Sequence, residues 1–299
     1  MAVLVNHLLI NGLQSVASSY TTASISPTAN RLVVLTVFNE KANPTTVPTV
    51  TGAGMTWTNF FSRESASKNT KRVTMFRALS TSPGSGALTI DFGGTNQAVC
   101  GWNITEFDGI DTSGSNGANA IVQSVGNDNN TAGNTGLTVT LAAFSSSSNA
   151  THGVVAWGSG TAITQGSGFT ELGEVQAGPE YQSQWRNDND TTVDWTWASN
   201  TDSSIGAAIE IKGDIATTST SITTSTSTTS TSSSTTTSTS TSTTVSVTTS
   251  TSTTSTSKTT STTTTSTSTT STSTSTTSTS TSTTSTSTTL DLKFSVERI

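Results

Sequence analysis

Thr135-Gly-Leu-Thr-Val-Thr-Leu141 places Leu137, Val139 and Leu141 on one side of an extended backbone and Thr138 and Thr140 on the other. Successive side chains of a strand point to opposite faces, so this alternation describes a strand with one face in a core and one in water, as in an antiparallel sheet. The same kind of run recurs through the first 215 residues, punctuated by Gly, Asn, Ser and Pro. Strands are expected at 3–10, 31–38, 55–62, 72–79, 87–92, 98–107, 120–125, 137–144, 153–157, 169–175, 192–197 and 205–211. Leu32-Val-Val-Leu-Thr-Val-Phe38 is nearly continuous in apolar residues and suits a central strand. Links such as Ser82-Pro-Gly-Ser-Gly86 and Gly93-Gly-Thr-Asn96 suit hairpins. No amphipathic helix of ten residues is expected. The fold class is therefore all-β: an antiparallel two-sheet β-sandwich, jelly-roll-like, over residues 1–215.

From Thr217 to Thr289 only Ile222, Val245, Val247 and Lys258 are neither Ser nor Thr. Ordering a residue costs about 1 to 2 kcal/mol of backbone entropy, and hydroxyl side chains bury too little apolar surface to offset it. Residues 216–289 thus read as an extended Ser/Thr-rich tether. Fully stretched it would span about 240 Å at roughly 3.3 Å per residue, and as a flexible coil about 50 Å.

After the tether the pattern changes to Leu290-Asp-Leu-Lys-Phe-Ser-Val-Glu-Arg-Ile299. Leu290, Leu292, Phe294 and Val296 share one face of a strand, and Asp291, Lys293, Ser295 and Glu297 share the other. A lone strand has unpaired peptide groups and a wet apolar face, so residues 290–299 require a host sheet. The host is either the chain's own head or a neighbouring molecule. Docking one peptide into one groove head to tail does not close on itself and generates a homo-polymer.

Charge excludes some partners. Of the 18 acidic residues all but Asp291 and Glu297 precede the tract, and of the 12 basic ones all but Lys258, Lys293 and Arg298 do. The head, with nine basic and sixteen acidic side chains, carries a net −7, so nucleic acid is not an expected partner. No stretch approaches 18 apolar residues, so no membrane span is expected. MAVLVNHLLINGLQSV lacks a basic start and fits a first strand rather than a signal peptide. An extracellular or virion-surface location is expected, reached by lysis, an unusual route or prior trimming.

The chemistry-bearing residues are sparse. Cys100 is the single cysteine and reads as a buried thiol. His7 and His152 have no metal-ligand spacing, and neither Asn127-Asp-Asn-Asn130 nor Asn187-Asp-Asn-Asp190 matches a calcium loop, so no metal or cofactor is expected. Carboxylate pairs Glu106/Asp108 and Glu171/Glu174 are the candidates for a surface glycan hydrolase. Trp195 and Trp197 share a strand face and are candidates for a sugar-stacking platform, set against a core role. Asn103, Asn129, Asn149 and Asn189 stand in Asn-x-Thr sequons, relevant if the chain meets a glycosylation apparatus.

At Pro27-Thr-Ala-Asn-Arg-Leu-Val-Val-Leu35, Gly52-Ala-Gly-Met-Thr-Trp57, Ile104-Thr-Glu-Phe-Asp-Gly-Ile-Asp-Thr112 and Ala208-Ile-Glu-Ile-Lys212 the head resembles jelly-roll, lectin-like sandwich domains of phage structural proteins and bacterial surface proteins. That resemblance implies adhesion or assembly and no catalytic set. The C-terminal peptide is similar to the donor strands of polymerising pili, whose donors lie at the N-terminus. Together these lead to the expectation of a non-enzymatic structural subunit of a filament or virus particle. The alternatives are a tethered carbohydrate-binding module and a surface hydrolase.

Overall fold

The computed structural model describes residues 2–214 apart from 14, 42–45, 66–69, 132, 158–161, 177–179 and 199–202. The tether and the C-terminal peptide lie outside the described residues.

The protein is all-β, and every strand pairing among the described residues is antiparallel. The first eight strands are β1 (Leu4–Leu13), β2 (Ser19–Thr21), β3 (Leu32–Glu40), β4 (Thr49–Gly52), β5 (Thr58–Glu64), β6 (Lys71–Leu79), β7 (Leu88–Asp91) and β8 (Val99–Asp108). A 3₁₀ segment, Ser115–Ala120, leads into β9 (Ile121–Asn129), β10 (Gly136–Thr140), β11 (Ala150–Trp157), β12 (Thr164–Gln165), β13 (Thr170–Val175), β14 (Glu180–Arg186), β15 (Thr192–Thr196) and β16 (Ser204–Ile211).

These strands form four sheets, where the sequence led to an expectation of two. The orders are β1-β8-β3-β6-β5 and β2-β7-β4, then β9-β16-β11-β14-β13 and β10-β15-β12. Adding eight to each strand number of the first pair gives the second pair. The described residues thus repeat one eight-stranded arrangement. Residue registers match as well: a β-bulge falls between Asn59 and Phe61 on β5 and at the corresponding place between Glu171 and Gly173 on β13.

Three cores separate the four layers. Alternate residues of β3 divide between two of them: Leu32, Val34 and Phe38 face one way, Val33, Leu35 and Val37 the other. This is why the run is apolar throughout. Tyr20, Val50, Leu88 and Ile90 close the core between the first five-stranded sheet and its three-stranded cover. Leu137, Val139, Val193 and Trp195 do the same in the second half. Between the two five-stranded sheets, Leu32, Phe38, Met75 and Phe107 meet Val154, Tyr181, Ile205 and Ile209.

That central interface is self-complementary, as in an isologous dimer. On one side Ile10 of β1 lies where a Cβ on Gly173 of β13 would come within 2.9 Å of it. On the other, Phe61 of β5 lies 2.7 Å from the Cβ position of Gly126 on β9. By register Gly126 corresponds to Ile10 and Gly173 to Phe61, so each large residue meets a glycine across the seam. The Tyr181 ring likewise passes over Gly101, where a Cβ would be 2.2 Å away, and stacks on Phe38 at 5.1 Å.

Several expected strands are shorter or displaced. The short cover strands β2, β4 and β12 and the polar strand β14 carry no clear apolar alternation. Gln182, Ser183 and Gln184 of β14 are all buried.

Candidate functional site

The repeat assigns roles to the candidate side chains. In β7 the inward residues are Leu88 and Ile90, followed by Phe92; the matching positions in and after β15 are Val193, Trp195 and Trp197. Trp195 is 1% exposed and Trp197 5%, and the Trp197 indole N–H donates to the Asn134 carbonyl at 3.0 Å. A stacking platform needs an exposed ring face, and neither ring offers one. Both fill the second outer core.

Of the sequons, Asn103 and Asn149 are each 1% exposed. The Asn103 amide donates to Ser183 Oγ at 2.8 Å and to His7 Nε2 at 2.9 Å, and the Asn149 amide donates to Glu210 Oε1 at 2.5 Å. Asn129 is half-buried, and its amide donates to the Gly136 carbonyl at 3.3 Å. Only Asn189 of the four has an exposed side chain.

The carboxylate pair Glu106 and Asp108 brackets Arg31. The guanidinium reaches Glu106 Oε1 at 2.9 Å and Asp108 Oδ2 at 3.1 Å, and the Thr28 N–H donates to Glu106 Oε2 at 2.5 Å. Glu106 is buried with both oxygens held, while Arg31 and Asp108 keep partial access to solvent, so the pair is an ion-paired cluster at the edge of the fold. At the matching place in the second half Glu210 accepts from Asn149 and, at 2.6 Å, from the Gln123 amide. Glu171 and Glu174 lie on β13. Glu174 accepts the Ile163 N–H at 2.6 Å. Burial, aided by the charge of Glu174, pushes the Glu171 carboxyl above its usual range.

The Asn/Asp runs are used by other side chains. Asp128 accepts from Arg63 at 2.5 Å and so joins β9 to β5, while Asp188 and Asp190 both bind Arg186, at 2.7 and 2.6 Å. Among the described residues no group of three or more His, Cys, Asp or Glu side chains converges on a metal-sized site. Nor is any helix there long and apolar enough to cross a membrane.

The central interface carries a polar island that the sequence did not signal. His7, Asn103, Thr105, His152 and Ser183 sit on its inner faces. Thr105 Oγ1 donates to Asn103 Oδ1 at 2.9 Å, which orients the amide toward His7 and Ser183. His152 is fully buried, with its ring edge-on to Phe107 at 5.3 Å. Its Nδ1 lies 3.1 Å from the Gln184 carbonyl, so that nitrogen carries the proton, and burial lowers the pKa to about 3. At the waist Lys212 Nζ pairs with Asp111 at 2.7 Å, which with Ser113 lowers that carboxyl to about 2.

A recess of about 240 Å³ opens at one end of the interface, lined by Phe38, Glu40, Lys71, Arg72 and Tyr181 among others. Leu290, Leu292, Phe294 and Val296, the expected assembly strand, lie outside the described residues. Comparison with protein-family models, with curated proteins and with solved structures returns no match.

Proposed function

We propose that the chain is a non-enzymatic structural subunit of an extracellular filament or virus particle, joined to its neighbours when Leu290–Val296 docks as a strand on another subunit's head. The observation that carries this reading is the alternating 290–296 segment that follows a 73-residue tract composed almost wholly of Ser and Thr. Burying its four apolar side chains would contribute roughly 6 to 12 kcal/mol before ordering costs.

The head suits a building block. Strand orders 1-8-3-6 and 2-7-4, repeated in each half, support reading each half as a jelly-roll-like unit whose fifth strand pairs with the sixth. Its candidate acids are ion-paired or hydrogen-bonded within the fold, and its candidate aromatic platform is core. The tether sets the reach between heads, and its hydroxyls and Asn189 are the positions open to sugars.

Negative-stain microscopy of the purified full chain, beside a chain ending at residue 289, tests the reading. Filaments or regular assemblies are expected only from the full chain. Isolated heads from both would overturn it.

A further inference from the structure

The two halves treat the gap between their first two strands differently. In the second half β9 lies against β10, and its side chains close the open edge of that strand. The Asn127 amide donates to the Thr138 carbonyl at 2.8 Å and the Asn129 amide to the Gly136 carbonyl at 3.3 Å. Beyond the strand end, Gln123 donates to the Ala142 carbonyl at 3.0 Å and accepts the Ala142 N–H at 2.9 Å. Each carbonyl so held points away from β15, so those of Gly136, Thr138 and Ala142 are already taken and are not open to a foreign strand.

The first half has the same amide chemistry in the same register but does not make these bonds. Asn6 and Asn11 correspond to Gln123 and Asn127, and both are exposed. Among the described residues Asn11 Oδ1 accepts the Gly12 N–H, at 2.7 Å, and no other donor. On β2 the residues that bond β7 alternate: Ser18 accepts from Phe92 at 2.8 Å and Thr22 donates to Leu88 at 2.9 Å. The peptide groups of Ser19 and Thr21 are therefore directed away from β7. Among the described residues no side chain reaches their carbonyls, whereas the matching Gly136 and Thr138 are taken. The open seam is also apolar. Leu4 on β1 is 59% exposed and Val16 in the β1–β2 connection 69%, while Leu8 and Leu9 lie half-buried along the floor against the outer core.

We infer that the seam between β1 and β2 is the acceptor site for the C-terminal strand, Leu290–Val296, of a neighbouring copy. This deepens the proposed function and rests on it. The segment would add to β2 through the free groups of Ser19 and Thr21 and lay Leu290, Leu292, Phe294 and Val296 on Leu8 and Leu9. Asp291, Lys293 and Ser295 would then stand outward beside the exposed Thr21 side chain. Beyond Asp214 this is the longest run whose apolar residues alternate, four against the two of Val245-Ser-Val247, and such a face complements a seam with an apolar floor and an unpaired edge. The second half's seam, being closed, takes no strand.

Disulfide trapping in full-length chains tests this. Cross-strand neighbours have Cβ atoms about 4.5 to 5.5 Å apart, near enough for a bridge after small adjustment. Thr21→Cys chains are mixed with chains carrying Asp291→Cys, Lys293→Cys or Ser295→Cys, and Thr138→Cys, the matching position on β10, is the control. Cys100 is buried, and burial raises its thiol pKa well above the usual value, so it stays silent. Intermolecular bridges to Thr21→Cys with at least one donor position, and none to Thr138→Cys, are expected. Assemblies visible by microscopy without any bridge at Thr21→Cys would overturn the seam and leave the proposed function standing. Neither assemblies nor bridges would overturn both. A Thr21→Cys/Ser295→Cys double variant that closes within single chains at every dilution, while the mixed single variants do not react, would overturn the assignment to a neighbouring copy.

Discussion

Glu106 and Glu210 occupy one position in the two halves of the repeat, each buried on the last strand of its five-stranded sheet, and each accepts a side-chain donor from the residue that precedes the third strand of its half. The donor is Arg31 in the first half and Asn149 in the second. Both carboxylates hold a loop against the sheet, and this explains burial that a hydrolytic role would have to explain differently. Removing one partner of a buried pair costs more than the pair contributes, because the remaining charge stays unpaired. Arg31 keeps partial solvent access and Asp108, which moderates the loss. Glu106→Ala is expected to lower stability by about 3 kcal/mol and Glu210→Gln by about 1 kcal/mol, read as shifts in the urea midpoint at constant slope.

His152 makes the head sensitive to acid. Its pKa is about 3 in the fold against about 6.5 when exposed. The unfolded chain therefore binds the proton first, and stability falls as pH drops from about 6.5 toward 3. At pH 5 the loss should be about 2 kcal/mol relative to pH 7.5. Val34 fills the matching position in the first half. His152→Val should flatten the urea-midpoint profile between pH 7.5 and 5. An unchanged slope would show that another group titrates.

The Asp111–Lys212 pair acts in a lower window. With the carboxyl held near 2 in the fold and about 3.8 when exposed, the pair's contribution is complete above pH 4 and lost as pH falls toward 2. The Lys212 side chain is 40% exposed, so the effect is small and screened by salt. Asp111→Asn should weaken the fold slightly at pH 6 and by a smaller amount at pH 2, where the carboxyl is about half protonated in the fold, as thermal unfolding at the two pH values can show.

The tryptophans separate core from ligand roles. Trp195→Ala and Trp197→Ala should each cost roughly 3 to 5 kcal/mol, and Trp195→Phe considerably less. Melting temperatures would show the order. An alanine variant with unaltered melting but lost binding to glycans would contradict the core assignment.

The β class was legible because alternation at 137–141 and the double-sided run at 32–38 report directly which faces meet a core. The repeat was not, because matching positions keep a role and change the residue. Ile90 and Trp195 both fill an outer core, Val34 and His152 both face the central interface, and Arg31 and Asn149 both hold a buried glutamate. Compensation across the interface hides it further, since Ile10 against Gly173 is answered by Gly126 against Phe61. The edge-closing role of the Asn127 and Asn129 amides was not legible in Asn127–Asn130, which matches no calcium loop, since sequence spacing does not show which peptide group a side chain will reach. The short strands β2, β4 and β12 are held by pairing to β7 and β15 rather than by any pattern of their own.

Sedimentation velocity of the full chain and of a chain ending at residue 289, each over a hundredfold range of concentration, tests most directly whether the last ten residues join subunits. The account predicts that the full chain grows in mass with concentration while the shortened chain stays at the monomer mass throughout. A full chain that remains monomeric over the whole range, or a shortened chain that assembles equally well, would contradict it.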